Sequence, residues 1–358
     1  MHPTTPRPNQ WSRSAPAHTA PHSDPACPIL LPFSARVGFN GVPVEREGSV
    51  MTRQIDAIVN PVAGHGRTHR EWPVVAARLA ALGFDVHLHQ TTGPNDATCI
   101  VRGLLRNGCH EILVVGGDGT VNEAVNGFFE GGQALSPDTV LSIVPGGTGR
   151  DFCRSLGIRS LDDALAALVT GTVLPIDVGR ITFQRGDTRV DRYFVNVADV
   201  GLGAETAAYI NRSSKALGGF LAYLVGAART MVVFEGRPAR VVVDGRPVHD
   251  GPIAIVVLAN GRYFAGGMFI APMASLIDGR FEILILRDVP KRVLLGSLLP
   301  RVYLGKHIGH PDVVHLQGSE LEVTASDHLP FQVDGEQPGT TDLHAVVLPR
   351  ALYVRALP

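Results

Sequence analysis

The stretch VVGGDGTVNEAVNGF, residues 114–128, joins an apolar run to a helical pattern through three glycines, an aspartate and a threonine. Val121, Val125 and Phe128 follow the turn at helical spacing. Glycines at such a junction permit positive φ and let a ligand approach the main chain, and the helix N-terminus adds partial positive charge. The stretch therefore predicts an anion site suited to phosphates.

Asp118 is the unusual residue of this turn, because a carboxylate beside phosphates is repulsive unless a divalent cation or a hydroxyl lies between them. It suggests nucleotide chemistry with Mg²⁺, which Asp118 would hold directly or through water. Two familiar phosphate motifs are excluded: the chain has no GxxxxGK[ST], and GDGTVN lacks the last glycine of GxGxxG. One glycine turn could be a tight strand–helix connection, but NPVAG (60–64) and PGGTGRDF (145–152) add two more.

Strands and helices alternate around these turns, which implies a parallel sheet with right-handed crossovers. The pattern predicts strands at 54–59, 85–90, 111–115 and 140–144, and helices at 70–82, 95–106 and directly after GGDGT. Ligands of such sheets lie beyond the carboxyl ends of the strands. All three glycine-rich turns fall at those ends.

The chain is expected to divide into three parts. Residues 1–50 are rich in Pro, Ser, Thr and His without periodicity, so we expect a disordered or misassigned extension, with Met51 as the natural start. Residues 51–173 are the predicted nucleotide-binding α/β domain. In residues 174–358 candidate strands become frequent and DG or NG turns separate them, which predicts a mostly antiparallel β-sandwich or open barrel. A cleft between the two domains is the expected site.

Composition narrows the function classes. A net charge of −1 over 358 residues gives no support for nucleic-acid binding. No apolar run approaches the roughly 18 residues that span a bilayer. The four cysteines show neither metal-ligand nor disulfide spacing, so we expect reduced thiols in a cytoplasmic protein.

Two helical stretches interrupt the second half, near 213–233 and 291–305. The second has apolar residues at helical spacing and basic residues at both ends, and we expect most of it to pack on the sheet. Contact of the whole protein with a membrane would be peripheral and transient.

NPVAGHGR, GGDGTVNEAVNG and PGGTGRDFCRSLG resemble the signatures of the diacylglycerol kinase catalytic family, which includes sphingosine and ceramide kinases and bacterial soluble lipid kinases. The resemblance continues in order through NVADVGLGAE (196–205), FAGGMFIAPMASLIDGRFEI (264–283) and VDGE (333–336), and it covers Ile55 to Leu357. It implies a kinase that uses ATP and Mg²⁺ to phosphorylate a primary hydroxyl of a lipid. The expected acceptor is diacylglycerol, which would become phosphatidic acid.

The resemblance also implies roles for individual residues. Those expected to contact ATP are Asn60, Pro61, Val62, Ala63, Gly64, Thr91, Gly116, Gly117, Asp118, Gly119, Thr120, Val121, Asn122, Glu123, Thr148 and Asp151. The DGE triplet would supply the general base, with Glu336 the family's usual residue and Asp334 its rival. A structural Mg²⁺ would bind Asp278 and the main-chain carbonyls of Ser275 and Arg280. Lys215 matches a lysine near the acceptor less clearly.

One residue departs from the family pattern. Bacterial members commonly read GTANDFAR, whereas GTGRDFCR here places Arg150 where asparagine is usual. Arg150 could pair with a phosphate or with Asp151, which leaves the acceptor open.

Several alternatives stay open. They are a sphingosine or other lipid kinase, an NAD kinase (which shares GGDGT), and a non-catalytic nucleotide- or lipid-binding regulator, against which the intact VDGE argues. The oligomeric state is also open, with a homodimer among the alternatives.

Overall fold

The computed structural model describes residues 53–147, 149–212 and 230–358. The expectations for residues 1–50, Met51, Thr148 and Lys215, and most of the helix expected at 213–233, lie outside these ranges. Among the described residues, no helix is both long enough and apolar enough to cross a membrane.

The first half alternates strands and helices as predicted. Its elements are β1 (Arg53–Val59), α1 (Ala63–Ala81), β2 (Phe84–Gln90), α2 (Asp96–Arg106), β3 (Glu111–Gly116), α3 (Asp118–Gly127), the short hairpin β4 (Phe129–Glu130) and β5 (Gln133–Ala134), β6 (Val140–Pro145), α4 (Asp151–Ser155) and α5 (Leu161–Thr170). Strands β2, β1, β3 and β6 lie side by side in that order and pair in parallel. Every residue of β3 is buried, as expected for a parallel strand covered on both faces. The predicted parallel α/β fold is confirmed.

The second half is mostly antiparallel, which also confirms the prediction. Its strands are β7 (Thr172–Arg185), β8 (Thr188–Phe194), β9 (Val197–Gly201), β10 (Arg237–Val243), β11 (Arg246–Ala259), β12 (Phe281–Arg287), β13 (Val313–Gly318), β14 (Glu320–Thr324), β15 (Pro330–Val333), β16 (Glu336–Thr340) and β17 (Leu343–Ala356). Helix α6 (Leu202–Arg212) follows β9. A large apolar core of this half is formed by inward residues such as Val241, Val256 and Phe331.

The last strand, β17, joins the two halves. It pairs antiparallel with β7 along most of its length, and Tyr353 and Val354 pair in parallel with β6. It is a single strand with an irregularity between Leu348 and Leu352. There the main-chain N–H of Arg350 donates to the carboxylate of buried Asp177, at 2.8 Å. The side chain thus replaces a ladder hydrogen bond, as at a β-bulge.

The predicted helix at 291–305 is shorter and less regular than expected. It consists of Lys291–Val293, a π-helical turn Leu294–Leu298, and Leu299–Val302, here together called α7. A proline lacks an N–H and clashes with the preceding turn, so Pro300 accounts for the widened turn before it. Leu294 and Leu298 are buried in an apolar cluster with Phe234, which confirms packing on the sheet.

The expectation of four reduced cysteines is wrong for Cys99, which is disulfide-bonded. Cys109 and Cys153 are free. Spacing in the sequence does not reveal which thiols folding brings within bonding distance.

Candidate active site

The three glycine turns pack directly against one another. The N–H of Gly146 donates to the carbonyl of Gly116 at 2.7 Å. A Cβ atom on Gly147 would lie 2.5 Å from the Cα of Gly117, and one on Gly64 would lie 2.5 Å from the carbonyl oxygen of Gly146. Contact between the turns therefore requires glycine at positions 64 and 147, whether or not a ligand also requires it.

A side chain of the first turn fixes the second. The amide of Asn60 donates to the hydroxyl of Thr120 at 2.9 Å, and its oxygen accepts the N–H of Val62 at 3.1 Å. The start of α3 is thereby tied to the end of β1.

Asp118 and Asp151 place two carboxylates close together. Asp118 accepts the main-chain N–H of Asp151 at 3.4 Å, so it stabilises the start of α4. Burial raises the pKa of Asp118, and burial followed by the charge of Asp118 raises the pKa of Asp151 to about 6. Each carboxylate disfavours the charge of the other, and a divalent cation between them would relieve this repulsion.

Arg154, rather than Arg150, pairs with Asp151. The guanidinium of Arg154 lies 2.6 Å from the carboxylate of Asp151, whereas Arg150 donates to the carbonyls of Gly147 and Arg159 at 3.2 and 3.3 Å. Of the two pairings considered for Arg150, the one with Asp151 is therefore wrong. Arg150 also has φ 56°, a conformation that asparagine adopts more readily than arginine.

Asp334 is held by four hydrogen bonds. One oxygen accepts from the side chain of Asn122 at 3.0 Å and from the N–H of Val195 at 3.1 Å, and the other accepts from the N–H groups of Asn196 and Val197 at 3.2 and 2.9 Å. Burial raises its pKa to about 6, although these donors act in the opposite direction. The carboxylate thus fills the break between β8 and β9.

Glu336 differs from Asp334 in having a free carboxylate. Its side chain is exposed, and among the described residues no side-chain hydrogen bond engages it. Removal of solvent by the surrounding protein raises the pKa of Glu336. The negative charge of Glu123 raises it further, and the positive charge of Arg192 lowers it. Asp334 and Gly335 have φ 47° and 94° and connect β15 to β16 as in a type I′ turn. The hairpin therefore presents Glu336 beside an anchored Asp334.

One cavity of about 1140 Å³ connects the glycine turns with the interior of the second half. The predicted site residues that line it are Asn60, Ala63, Gly64, Gly117, Asp118, Gly119, Thr120, Val121, Glu123, Asp151, Asp334 and Glu336. Its other wall is mainly apolar and includes Leu202, Val257, Met268, Leu284, Leu298 and Val302. The cavity therefore has a polar end at the glycine turns and an apolar end within the second half.

The remaining predicted residues lie outside the lining of this cavity. They are Pro61, Val62, Thr91, Gly116 and Asn122 from the first half, and Ser275, Asp278 and Arg280 from the second. Thr148 is outside the described residues.

The predicted metal residues form a loop before β12. Asp278 accepts the N–H of Arg280 at 3.1 Å, and burial raises its pKa, with Asp177 and Glu282 adding to the shift. Asp177 holds the loop by accepting the N–H of Gly279 at 2.6 Å. A carboxylate with neighbouring main-chain carbonyls suits a hard cation such as Mg²⁺.

Sequence reasoning missed three buried polar residues: Asp177 and Asp199, which lie outside the cavity lining, and Gln332, which is part of it. Each lies in an otherwise apolar stretch, and a polar residue within a buried strand was the available signal.

Comparison with known proteins gives two family matches. The family described as "Diacylglycerol kinase catalytic domain" matches residues 54–181, and the "YegS C-terminal NAD kinase beta sandwich-like domain" matches residues 196–356. A diacylglycerol kinase of Staphylococcus carnosus is 28% identical over 81% of this chain and 90% of its own length, and one of Bacillus subtilis is 27% identical over 83% and 94%. The crystal structure of a diacylglycerol kinase from Bacillus anthracis has the same fold, with a TM-score of 0.64 and 22% identity over 87% of this chain and 99% of that chain.

Proposed function

The chain belongs to the diacylglycerol kinase family, and on that premise we propose that it transfers the γ-phosphoryl group of ATP to a primary hydroxyl of diacylglycerol. The observation that carries the proposal is the shared cavity, which runs from the glycine turns past Glu336 into an apolar chamber. In this assignment residues 51–173 bind the nucleotide and residues 174–358 bind the lipid.

The triphosphate would lie along the glycine turns, where main-chain N–H groups and the start of α3 favour negative charge. The hydrogen bond from the Asn60 amide to the Thr120 hydroxyl fixes the first two turns of this phosphate site relative to each other. Mg²⁺ supplies charge neutralisation of the triphosphate when it is bound. The carboxylates of Asp118 and Asp151 would hold it, and Asp278 with the carbonyls of Ser275 and Arg280 would hold a second, structural ion.

Glu336 is the proposed general base. The lipid hydroxyl oxygen attacks the γ-phosphorus, its proton passes to the carboxylate of Glu336, and the bond from the γ-phosphorus to the bridging oxygen breaks to release ADP. Asp334 does not take this role, because both of its oxygens already accept hydrogen bonds. It keeps the turn in place.

The apolar chamber would accept acyl chain. Leucine, valine and methionine side chains from the sheet and from α6 and α7 form its wall, and such a wall favours a lipid over a dinucleotide as acceptor. Nearby, Met273 and Leu304 are each 65% exposed, with Arg301 and Lys306 in the same segment as Leu304. Exposed apolar side chains beside basic ones support a peripheral contact with anionic membranes.

The experiment is an ADP-formation assay with Mg²⁺ and ATP, in which diacylglycerol, sphingosine, phosphatidylglycerol and NAD are offered separately. We expect turnover with diacylglycerol in mixed micelles. Turnover with NAD alone would replace the proposal by NAD kinase activity. Nucleotide binding without turnover on any acceptor would indicate a regulator.

A further inference from the structure

The structure assigns a positioning role to two buried residues behind the DGE turn, Asp199 and Gln332. They are 0% and 1% exposed. The inference rests on the proposed function, because what they position is the turn that carries Glu336.

Three hydrogen bonds link helix α6 to the DGE turn through these residues. The N–H of Ala204 in the first turn of α6 donates to Asp199 Oδ1 at 2.9 Å. The side-chain amide of Gln332 donates to Asp199 Oδ2. The N–H of Gly335 donates to Gln332 Oε1 at 2.6 Å.

The direction of each hydrogen bond follows from the chemistry of the groups. An ionised carboxylate only accepts, so Asp199 requires Gln332 to present its NH₂ group. The carbonyl oxygen of Gln332 then faces the turn, where it accepts the N–H of Gly335. The charge on Asp199 therefore selects the orientation of the Gln332 amide, and that orientation holds the Asp334–Gly335 peptide, one residue before Glu336.

The hydrogen-bonded chain from Ala204 through Asp199 and Gln332 to Gly335, here called the relay, also aligns the lipid chamber with Glu336. Leu202 and Thr206 of α6 line the cavity, as do Gln332 and Glu336. Asp199 accepts from the first turn of α6 and from Gln332 at once, so one carboxylate fixes a wall of the chamber relative to the turn. A mispaired donor or acceptor here is costly because both side chains are buried.

An exchange of the two residues' chemistry tests the relay. Asp199→Asn places an NH₂ group against the NH₂ of Gln332, and Gln332→Glu places a carboxylate against a carboxylate. The double variant Asp199→Asn/Gln332→Glu restores complementarity. In it, residue 199 accepts from Ala204 and donates to residue 332, and residue 332 accepts from Gly335.

Burial raises the pKa of Asp199 to about 7, so the assays are run near pH 8, where the carboxylate is charged. For each variant we would measure kcat with diacylglycerol in mixed micelles, KM for ATP and the melting temperature. Each single variant is expected to lower kcat about tenfold to a hundredfold, as for one unpaired buried polar group. KM for ATP should stay within about twofold, because the glycine turns are untouched. The double variant should recover kcat to within about threefold of the wild type.

A matched control is Gln317→Leu against Gln332→Leu. Gln317 also donates to a buried carboxylate, that of Glu282 at 2.6 Å, but it does not line the cavity. Gln317→Leu should lower the melting temperature and leave kcat per folded molecule unchanged. Gln332→Leu should lower both.

The outcomes separate the two proposals. A wild type that phosphorylates lipid supports the proposed function. The relay is nevertheless overturned if the single variants keep the full wild-type kcat. It is also overturned if the double variant has no higher kcat than the single variants. A wild type without lipid kinase activity overturns both. If the single variants fail to fold, a folded and active double variant still supports the relay, and an inactive one contradicts it.

Discussion

The side-chain amide of Asn122 donates a 3.0 Å hydrogen bond to the carboxylate of Asp334. Asn122 lies on α3, directly after the GGDGT turn, and Asp334 lies in the DGE turn of the other half. The nucleotide turn and the turn that carries the base are therefore joined by one contact. Within the part of the chain that the structure describes, Asp334 accepts four hydrogen bonds and Glu336 accepts none from a side chain, so the two carboxylates of the DGE triplet have different roles.

Asp334 and Glu336 should respond differently to removal of their charge. In Asp334→Asn an NH₂ group replaces one oxygen and faces N–H donors, so we expect the free energy of unfolding to fall by about 1–3 kcal/mol. Glu336→Gln changes an exposed group and should alter that free energy by less than about 0.5 kcal/mol. Chemical denaturation of both variants measures this. Equal losses of stability would contradict the division of roles.

Gly147 should be intolerant of a side chain. A Cβ atom there would lie 2.5 Å from the Cα of Gly117, so Gly147→Ala must separate the two turns. We expect ATP affinity to fall at least about tenfold, because contact between the turns preorganises the phosphate site. Titration of nucleotide binding measures the effect.

The control is Gly103→Ala in α2, where a Cβ atom would meet nothing within 4 Å. It should raise stability by up to about 1 kcal/mol and leave nucleotide affinity unchanged. Wild-type affinity in Gly147→Ala would show that the turns need not touch.

Stability should depend on pH through Asp151. Burial, then the charge of Asp118, raises its pKa from 3.8 to about 6. Between those values the folded protein holds a proton that the unfolded chain has released, so this residue's contribution to the free energy of unfolding decreases as pH rises through about 4 to 6. The decrease is on the order of 2–3 kcal/mol.

Asp151→Asn removes this titration. Without Mg²⁺, the wild type should lose more stability than the variant between about pH 4.5 and pH 7, as measured by thermal unfolding. Parallel pH profiles for the two proteins would contradict the raised pKa.

Mg²⁺ should stabilise the protein through Asp278 even without nucleotide. An ion that binds only the folded state adds about 1 kcal/mol at a concentration several times its Kd. The melting temperature should rise by a few degrees in Mg²⁺ relative to EDTA. In Asp278→Asn this rise should disappear.

Asp250→Asn is the matched control, since Asp250 is a carboxylate of the same half that is 77% exposed. It should keep the full Mg²⁺ effect. An undiminished effect in Asp278→Asn would place the ion elsewhere.

The general fold could be predicted because local patterns dictate it. The alternation around the GGDGT turn requires a parallel sheet, and the closely spaced strands after residue 174 require an antiparallel one. The convergence of the glycine turns also followed, because the carboxyl ends of parallel strands meet at one edge. The 2.5 Å approach of Gly147 to Gly117 was not predictable, since a glycine required by a neighbouring turn looks the same in sequence as one required by a ligand.

Long-range pairings account for what the sequence did not reveal. The partners of Asp334 are more than 130 residues away in the chain, and no local pattern couples them. The addition of Tyr353 and Val354 to the parallel sheet has the same origin. Asp199 and Gln332 were missed because single polar residues in apolar strands acquire a meaning only when their partners are known.

The central claim is that Glu336 activates a lipid hydroxyl within the cavity that also holds ATP. Its most direct test is transfer of labelled γ-phosphate from ATP to diacylglycerol, with the product identified as phosphatidic acid by mass spectrometry, for the wild type and Glu336→Gln. We predict product from the wild type and a kcat reduced about 10²- to 10⁴-fold in the variant, with KM for ATP unchanged. A Glu336→Gln enzyme that forms phosphatidic acid at the wild-type rate would contradict the claim.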